Sequence, residues 1–280
     1  TSQKMLGPKI QDGTLRKNLV EPPWHCPDEY LNLPIHMRQF EMELLTPKAA
    51  DNGEVVLQLH GGGYIAKIRN AYRDFAVRYS KIDQYRVLSV DYRVAPQHPY
   101  PAAFQDALEA YRWLLYSGFS GDRIILAGDS AGGGLVLALA MYLRDQSMPL
   151  PKKLVMMSPW TDLTASGPSY QENYENDPLF GNTRESMIYN GEYAGKQDPK
   201  LPYISPLFGD FHGLPPMLFQ VGSLEMLLSD SVLAAQKAKE AGCDVTLTVY
   251  QDMFHVFQLS MDKLAESRAA WDEVAAFLGK

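Results

Sequence analysis

The sequence predicts an α/β fold built on a mostly parallel sheet, and two observations carry that prediction. Short apolar runs of strand length alternate along most of the chain with amphipathic segments of helical period, the pattern of strands joined through helices that cover the faces of a sheet. Near the middle, Ile124-Ile-Leu-Ala-Gly128 runs through Asp129 and Ser130 directly into Ala131-Gly132-Gly133-Gly134 and an apolar helix. Small residues two before and two after a bend are what a strand and a helix need when they pass too close for side chains.

In chain order, the first strand candidates span 37–45 and 55–59, with Asp51-Asn52-Gly53 between them as a turn sequence. These two are expected to pair as an antiparallel hairpin through 47–53. Further strands are expected at 87–90, 124–127, 154–157, 218–221 and 245–250. The clearest amphipathic segments are 103–116, 132–144, 231–241 and 264–278, and right-handed crossovers through them give a parallel sheet. Two stretches fall outside the alternation, 1–35 and 161–214, the second rich in Tyr, Asn, Asp and Pro. Both are too long for plain loops; above the carboxyl ends of the strands they could cover a ligand. A chain of 280 residues with 46% hydrophobic residues buries a full core as one large domain or a domain with a cap.

Composition excludes several function classes. A net charge of -7 and a pI near 5.4, with no stripe of Lys or Arg, argue against a nucleic-acid partner. No apolar run reaches bilayer-spanning length, so no membrane partner is expected. Cys26 and Cys243 stand far apart in no metal spacing and suggest a reducing compartment. The opening Thr1-Ser-Gln-Lys-Met5 does not read as a signal peptide. The expected location is cytoplasmic.

The Gly128-Asp-Ser130-Ala-Gly132 junction reads as a nucleophile elbow, which presents a serine hydroxyl in the open at the carboxyl end of a strand. Such a pattern also arises by chance, so the chain must supply the partners. His60-Gly61-Gly62-Gly63-Tyr64 follows a strand directly. Consecutive glycines there allow backbone N–H groups to converge on a negative charge, and with the N–H of Ala131 they can form an oxyanion hole. A phosphate loop would need a following Gly-Lys-Ser/Thr, which is missing. Of six histidines, His60 braces the glycine loop, His98 lies in a proline-rich turn, His25 and His36 precede the sheet core, and His212 precedes Pro215-Pro216. His255 follows the last strand, where a loop returns over the carboxyl ends, and is the candidate base. The acid belongs in the loop after 218–221, where Glu225 and Asp230 both qualify. Glu225 is preferred, since Asp230 reads as the N-cap of a helix starting at Ser231. Asp129 is expected to be a hydrogen-bonding residue of the elbow and not the acid. The order Ser, Glu, His is that of one serine-hydrolase fold and not of the others.

On these residues the chain resembles the hormone-sensitive-lipase-type (bacterial family IV) carboxylesterases of the α/β-hydrolase fold, marked by His-Gly-Gly-Gly and Gly-Asp-Ser-Ala-Gly. Asp91-Tyr-Arg-Val-Ala-Pro96, His98-Pro-Tyr-Pro-Ala102, Ser158-Pro-Trp-Thr-Asp162-Leu and the segment around Asp177-Pro-Leu resemble further family blocks. The match runs from about Glu54 onward. The resemblance implies a mostly parallel eight-stranded sheet flanked by helices, with a cap from the N-terminal segment (about 1–35) and part of the insertion after the sixth strand (161–214). It implies that Gly62 and Gly63, with Ala131, donate the oxyanion bonds. The family usually carries Asp-Pro-Leu-x-Asp where this chain has Glu225-Met-Leu-Leu-Ser, which makes the acid a glutamate. Ser130 and Glu225 are 95 positions apart and Glu225 and His255 are 30 apart, as is typical of the family.

The expected activity is hydrolysis of short-chain acyl esters, acetyl to butyryl, through an acyl-enzyme, with no metal or organic cofactor. Tyr64 and Trp160, with the tyrosine-rich cap, are the expected pocket walls. Deacetylation of acetylated carbohydrates is an alternative within the same chemistry. A non-catalytic small-ligand receptor on the same scaffold is the alternative from another class, and retention of His255 argues against it. Analogy with the family suggests a homodimer through 245–250 and the final helix.

Overall fold

The computed structural model describes residues 21–189 and 191–279. Its centre is built from four runs in which every residue is buried, β3 (Val55–Leu59), β5 (Ile124–Asp129), β6 (Lys153–Met157) and β7 (Met217–Gly222). Continuous burial is what strands covered on both faces require. With β1 (Tyr30–His36), β2 (Glu41–Pro47), β4 (Arg86–Asp91) and β8 (Val245–Tyr250) they form one eight-stranded sheet in the order β1-β2-β4-β3-β5-β6-β7-β8. The β1–β2 and β2–β4 pairs are antiparallel; every pair from β4 to β8 is parallel.

The expected hairpin through 47–53 does not form a strand pair. The turn itself exists, with Asp51 and Asn52 side chains accepting the N–H groups of Gly53 and Glu54 at 2.9 Å. However, β3 lies between β4 and β5, and β2 pairs with β4 instead, Met42 opposite Val90 and Leu44 opposite Leu88. A strand buried at every position, as β3 is, needs a covered neighbour on each side, whereas β2, buried at only some positions, tolerates a place near the sheet edge. The hairpin partner of β2 is β1, within the stretch expected to belong to a cap. Its sequence hides the strand, because Leu31 and Leu33 face solvent and Pro34 interrupts it, as edge strands permit. The part of the expected cap in residues 1–20 lies outside the described residues.

Side chains alternate between two layers. One layer packs α2 (Ala102–Tyr116), α3 (Ala131–Asp145) and α5 (Leu228–Glu240) against Val55, Leu57, Leu126, Met156 and Phe219. The other packs α1 (Asn70–Asp83) and α6 (Ala265–Leu278) against Val56, Val87, Ile125, Val155 and Leu218. Helix α1 was not among the expected segments, since its buried face is made largely of Tyr72, Phe75 and Tyr79 among charged residues. Between β6 and β7 the chain forms the short helix α4 (Ser169–Glu172) and a succession of turns, whose Tyr170, Phe180, Ile188 and Tyr193 join the first layer. Among the described residues no helix is long and apolar enough to cross a membrane.

Candidate active site

Where β5 enters α3, Ser130 takes φ 52° and ψ -123°, a conformation that L-residues rarely hold. The crowding that enforces it is measurable. A Cβ on Gly128 would lie 2.5 Å from the carbonyl oxygen of Gly132, and one on Gly132 would lie 2.0 Å from that of Leu59. The bend is tied to the next strand by Ser130 N–H donating to Met157 O at 2.9 Å.

The hydroxyl so presented meets His255. Ser130 Oγ lies 2.9 Å from His255 Nε2, and His255 Nδ1 lies 2.7 Å from Glu225 Oε2. A carboxylate beside Nδ1 keeps the proton there, leaving Nε2 to accept from the serine. Two loops converge to make this contact: a Cβ on Gly222, the last residue of β7, would fall 2.2 Å from Met253 O, just before the histidine. Burial pulls the His255 imidazole down, but the hydrogen bond and charge of Glu225, with Asp177 and Asp129 farther off, outweigh it and raise its pKa above the ordinary value. The sequence-preferred acid is therefore the one within reach. Asp230 sits in the first turn of α5 rather than at its N-cap, and its carboxylate accepts the N–H groups of Thr161 and Asp162 at 2.7 and 2.9 Å. It pins the loop after β6, and burial holds its carboxyl well above the usual range.

Beside the serine, the loop after β3 turns with Gly62 at φ 115°, Gly63 at φ 64° and Tyr64 at φ 60°. The N–H groups of Gly62, Gly63 and Ala131 have no acceptor among the described residues. Asp129 ties this loop to the elbow, accepting Gly61 N–H at 3.0 Å and Tyr72 O–H at 3.1 Å. Burial raises its carboxyl to about 6. His60 donates Nδ1–H to Gly61 O at 2.6 Å and stacks on Tyr92 at 4.1 Å. Burial pushes it down to about 4, which suits a brace and not a base at neutral pH. His36 and His212 pair with Glu41 and Asp210 on the surface, away from the serine.

Tyr64 and Trp160, expected as pocket walls, are closed into the core, each 1% exposed. Tyr64 stacks face to face on Tyr193 at 3.7 Å, and Trp160 packs over Gly191. The groups that do reach the centre come from the insertion: the Phe180 ring lies 4.8 Å from that of His255, and Met187 lies against Gly63. Three further residues grip the loop of Glu225. Ser158 Oγ donates to Glu225 Oε1 at 2.7 Å, Asn173 Nδ2 donates to the carbonyls of Ser223 and Glu225, and Asp177 Oδ2 accepts Met226 N–H. Ser158 and Asp177 stand in motifs visible in the sequence, but no spacing there points them at Glu225.

This constellation can take a proton from a hydroxyl and hold an oxyanion, the requirements of acyl transfer. A family model described as alpha/beta hydrolase fold matches residues 56–259. An acetyl-hydrolase of Streptomyces hygroscopicus is 39% identical over 230 residues, covering 82% of this chain and 77% of that one. A solved esterase from the bacterial hormone-sensitive lipase family superposes with a TM-score of 0.85 at 36% identity, covering 97% of each chain. The esterase EstE5, soaked with p-nitrophenyl butyrate, superposes with a TM-score of 0.83 at 35% identity, covering 96% of this chain and 97% of that one. With these likenesses spanning the sheet, the elbow and the loops that converge on it, the chain belongs to the alpha/beta hydrolase fold family and is a carboxylic ester hydrolase of the hormone-sensitive-lipase type.

Proposed function

We propose that this esterase cleaves esters of short acyl groups, acetyl to butyryl, through an acyl-enzyme on Ser130. The observation that carries the reading is the chain of contacts from Ser130 Oγ to His255 Nε2 at 2.9 Å and from His255 Nδ1 to Glu225 at 2.7 Å. His255 takes the serine proton as Oγ attacks the ester carbonyl, and Glu225 stabilises the imidazolium that results. The N–H groups of Gly62, Gly63 and Ala131 receive the negative oxygen of the tetrahedral intermediate. The imidazolium then protonates the departing alcohol, and water activated by the same histidine releases the acid. Part of residues 161–214 acts as the cap over this centre. The short-chain preference is supported by Phe180 against His255 and Met187 against Gly63, which crowd the reaction centre. The acetyl-hydrolase named among the relatives points the same way.

Hydrolysis of p-nitrophenyl esters from acetate to palmitate, with Ser130→Ala beside the wild type, tests the proposal. Expected are rates that fall beyond butyrate and a Ser130→Ala protein without turnover. Rates that climb through octanoate to palmitate would refute the acyl-length assignment. A fluorophosphonate should label Ser130 covalently; a folded protein that resists it would be a receptor.

A further inference from the structure

Glu225 is held by more than its histidine. While Oε2 faces His255, Oε1 accepts Ser158 Oγ–H at 2.7 Å and Gly222 N–H at 2.6 Å. The same Ser158 hydroxyl accepts the N–H of Val256 at 3.1 Å, from the residue next to His255. One buried hydroxyl thus joins the carboxylate to the backbone that carries the imidazole. Its own backbone is fixed in turn, because Ser158 N–H donates to Gln220 O at 2.7 Å. Ser158 also holds φ 47°, where glycine would be the easier residue. A side chain kept at such a position despite that cost points to a task for the side chain.

We propose that Ser158 is a positioning residue of the hydrolysis: its hydroxyl fixes the Glu225 carboxylate against His255 and locks the histidine loop to it. A glutamate has one more rotatable bond than the aspartate usual in this family, so its carboxylate needs an additional donor to keep one orientation. The inference rests on the reading of Glu225 as the triad acid.

Ser158→Ala and Ser158→Gly, with Glu225→Gln beside them, separate the two. Both Ser158 variants lack the hydroxyl, but glycine fits the φ better than serine does and alanine does not. Measured with p-nitrophenyl acetate, both should lose roughly ten- to a hundred-fold in kcat, as expected for a hydrogen bond to a charged group, with KM little changed. The acid limb of kcat should move to lower pH in both, as the contact that raises His255 loosens. The proposal is overturned if both keep wild-type kcat, if glycine restores what alanine loses, or if the limb stays or moves up. Should alanine fail to fold, the glycine variant decides. If Glu225→Gln retains full activity, the triad reading itself has failed, whatever Ser158 does.

Discussion

Replacing Glu225 by glutamine should inactivate the enzyme while leaving its fold in place, and the neighbours of the carboxylate say why. Ser158 O–H and Gly222 N–H both donate to Oε1, so an amide must put its oxygen there and turn its NH2 toward His255 Nδ1. A donor facing Nδ1 forces the ring proton onto Nε2, which points at Ser130 Oγ from 2.9 Å. That nitrogen can no longer accept the serine proton. The imidazolium also loses the charge that stabilises it. A change of tautomer of this kind lowers kcat about 10⁴-fold, or about 5.5 kcal/mol of transition-state stabilisation. The pH profile should move as well. In the wild type the Glu225 hydrogen bond and charge override burial and place the His255 pKa above 6.5. Because the base must be unprotonated, wild-type activity is lost as pH falls through a value above 6.5; in the variant only the more distant Asp177 and Asp129 charges oppose burial, and the limb of the residual activity should move to lower pH. Steady-state hydrolysis of p-nitrophenyl butyrate across the neutral range, with circular dichroism to verify folding, measures both. A kcat within about ten-fold of wild type together with an unmoved limb would refute the assignment of Glu225.

Three further outcomes follow from the geometry. Asp129 is raised by burial from 3.8 to about 6, so between those values the native state binds more protons than the unfolded one, and ionisation costs stability as pH rises through that window. The cost is on the order of 3 kcal/mol, and Asp129→Asn removes it. The melting temperature of Asp129→Asn relative to wild type should therefore increase from acid to neutral pH, and a difference that shrinks contradicts the assignment. Gly132→Ala places a Cβ 2.0 Å from Leu59 O, a backbone atom that cannot yield without moving β3. Urea unfolding should show a loss of about 3 kcal/mol or more together with loss of activity. Met187→Ala removes the side chain that lies against Gly63. Hydrolysis of hexanoate relative to acetate should rise roughly ten-fold, and an unchanged ratio would remove Met187 from the acyl site.

What was legible in the sequence is what the backbone alone dictates. The elbow could be read because a Cβ at Gly128 or Gly132 collides with carbonyl oxygens, so only glycine serves and glycine is visible. His255 and Glu225 could be read because the carboxyl ends of β7 and β8 place them, and strand ends follow from hydrophobic runs. The order of β2, β4 and β3 could not, since a turn sequence reports a local bend and not which strand the chain next joins. Tyr64 and Trp160 were misplaced for a related reason. An aromatic residue beside a motif looks the same whether its ring faces a ligand or, as here, packs on Tyr193 and Gly191.

The insertion shows where pattern reading ends and three-dimensional bonding takes over. Its composition leads one to expect something that covers a site, and a lid that lifts as a unit would be the simple picture. Its first part is bonded otherwise. Asn173 donates to the carbonyls on both sides of the acid loop, at 2.9 Å from Ser223 O and 2.7 Å from Glu225 O. Asp177 accepts Met226 N–H at 2.8 Å with one oxygen and the N–H groups of Leu179 and Phe180 with the other. Ser169 adds a bond to Met226 O. These contacts carry Phe180 onto the His255 ring. Lifting 169–180 would break hydrogen bonds on the loop that holds Glu225, and each of the buried ones, from Ser169 and Asp177 to Met226, costs about 1–3 kcal/mol when left unmade. This part of the insertion is consequently frame and not lid: it fixes Glu225 from one side while Ser158 fixes it from the other. Any opening that admits substrate must spare it.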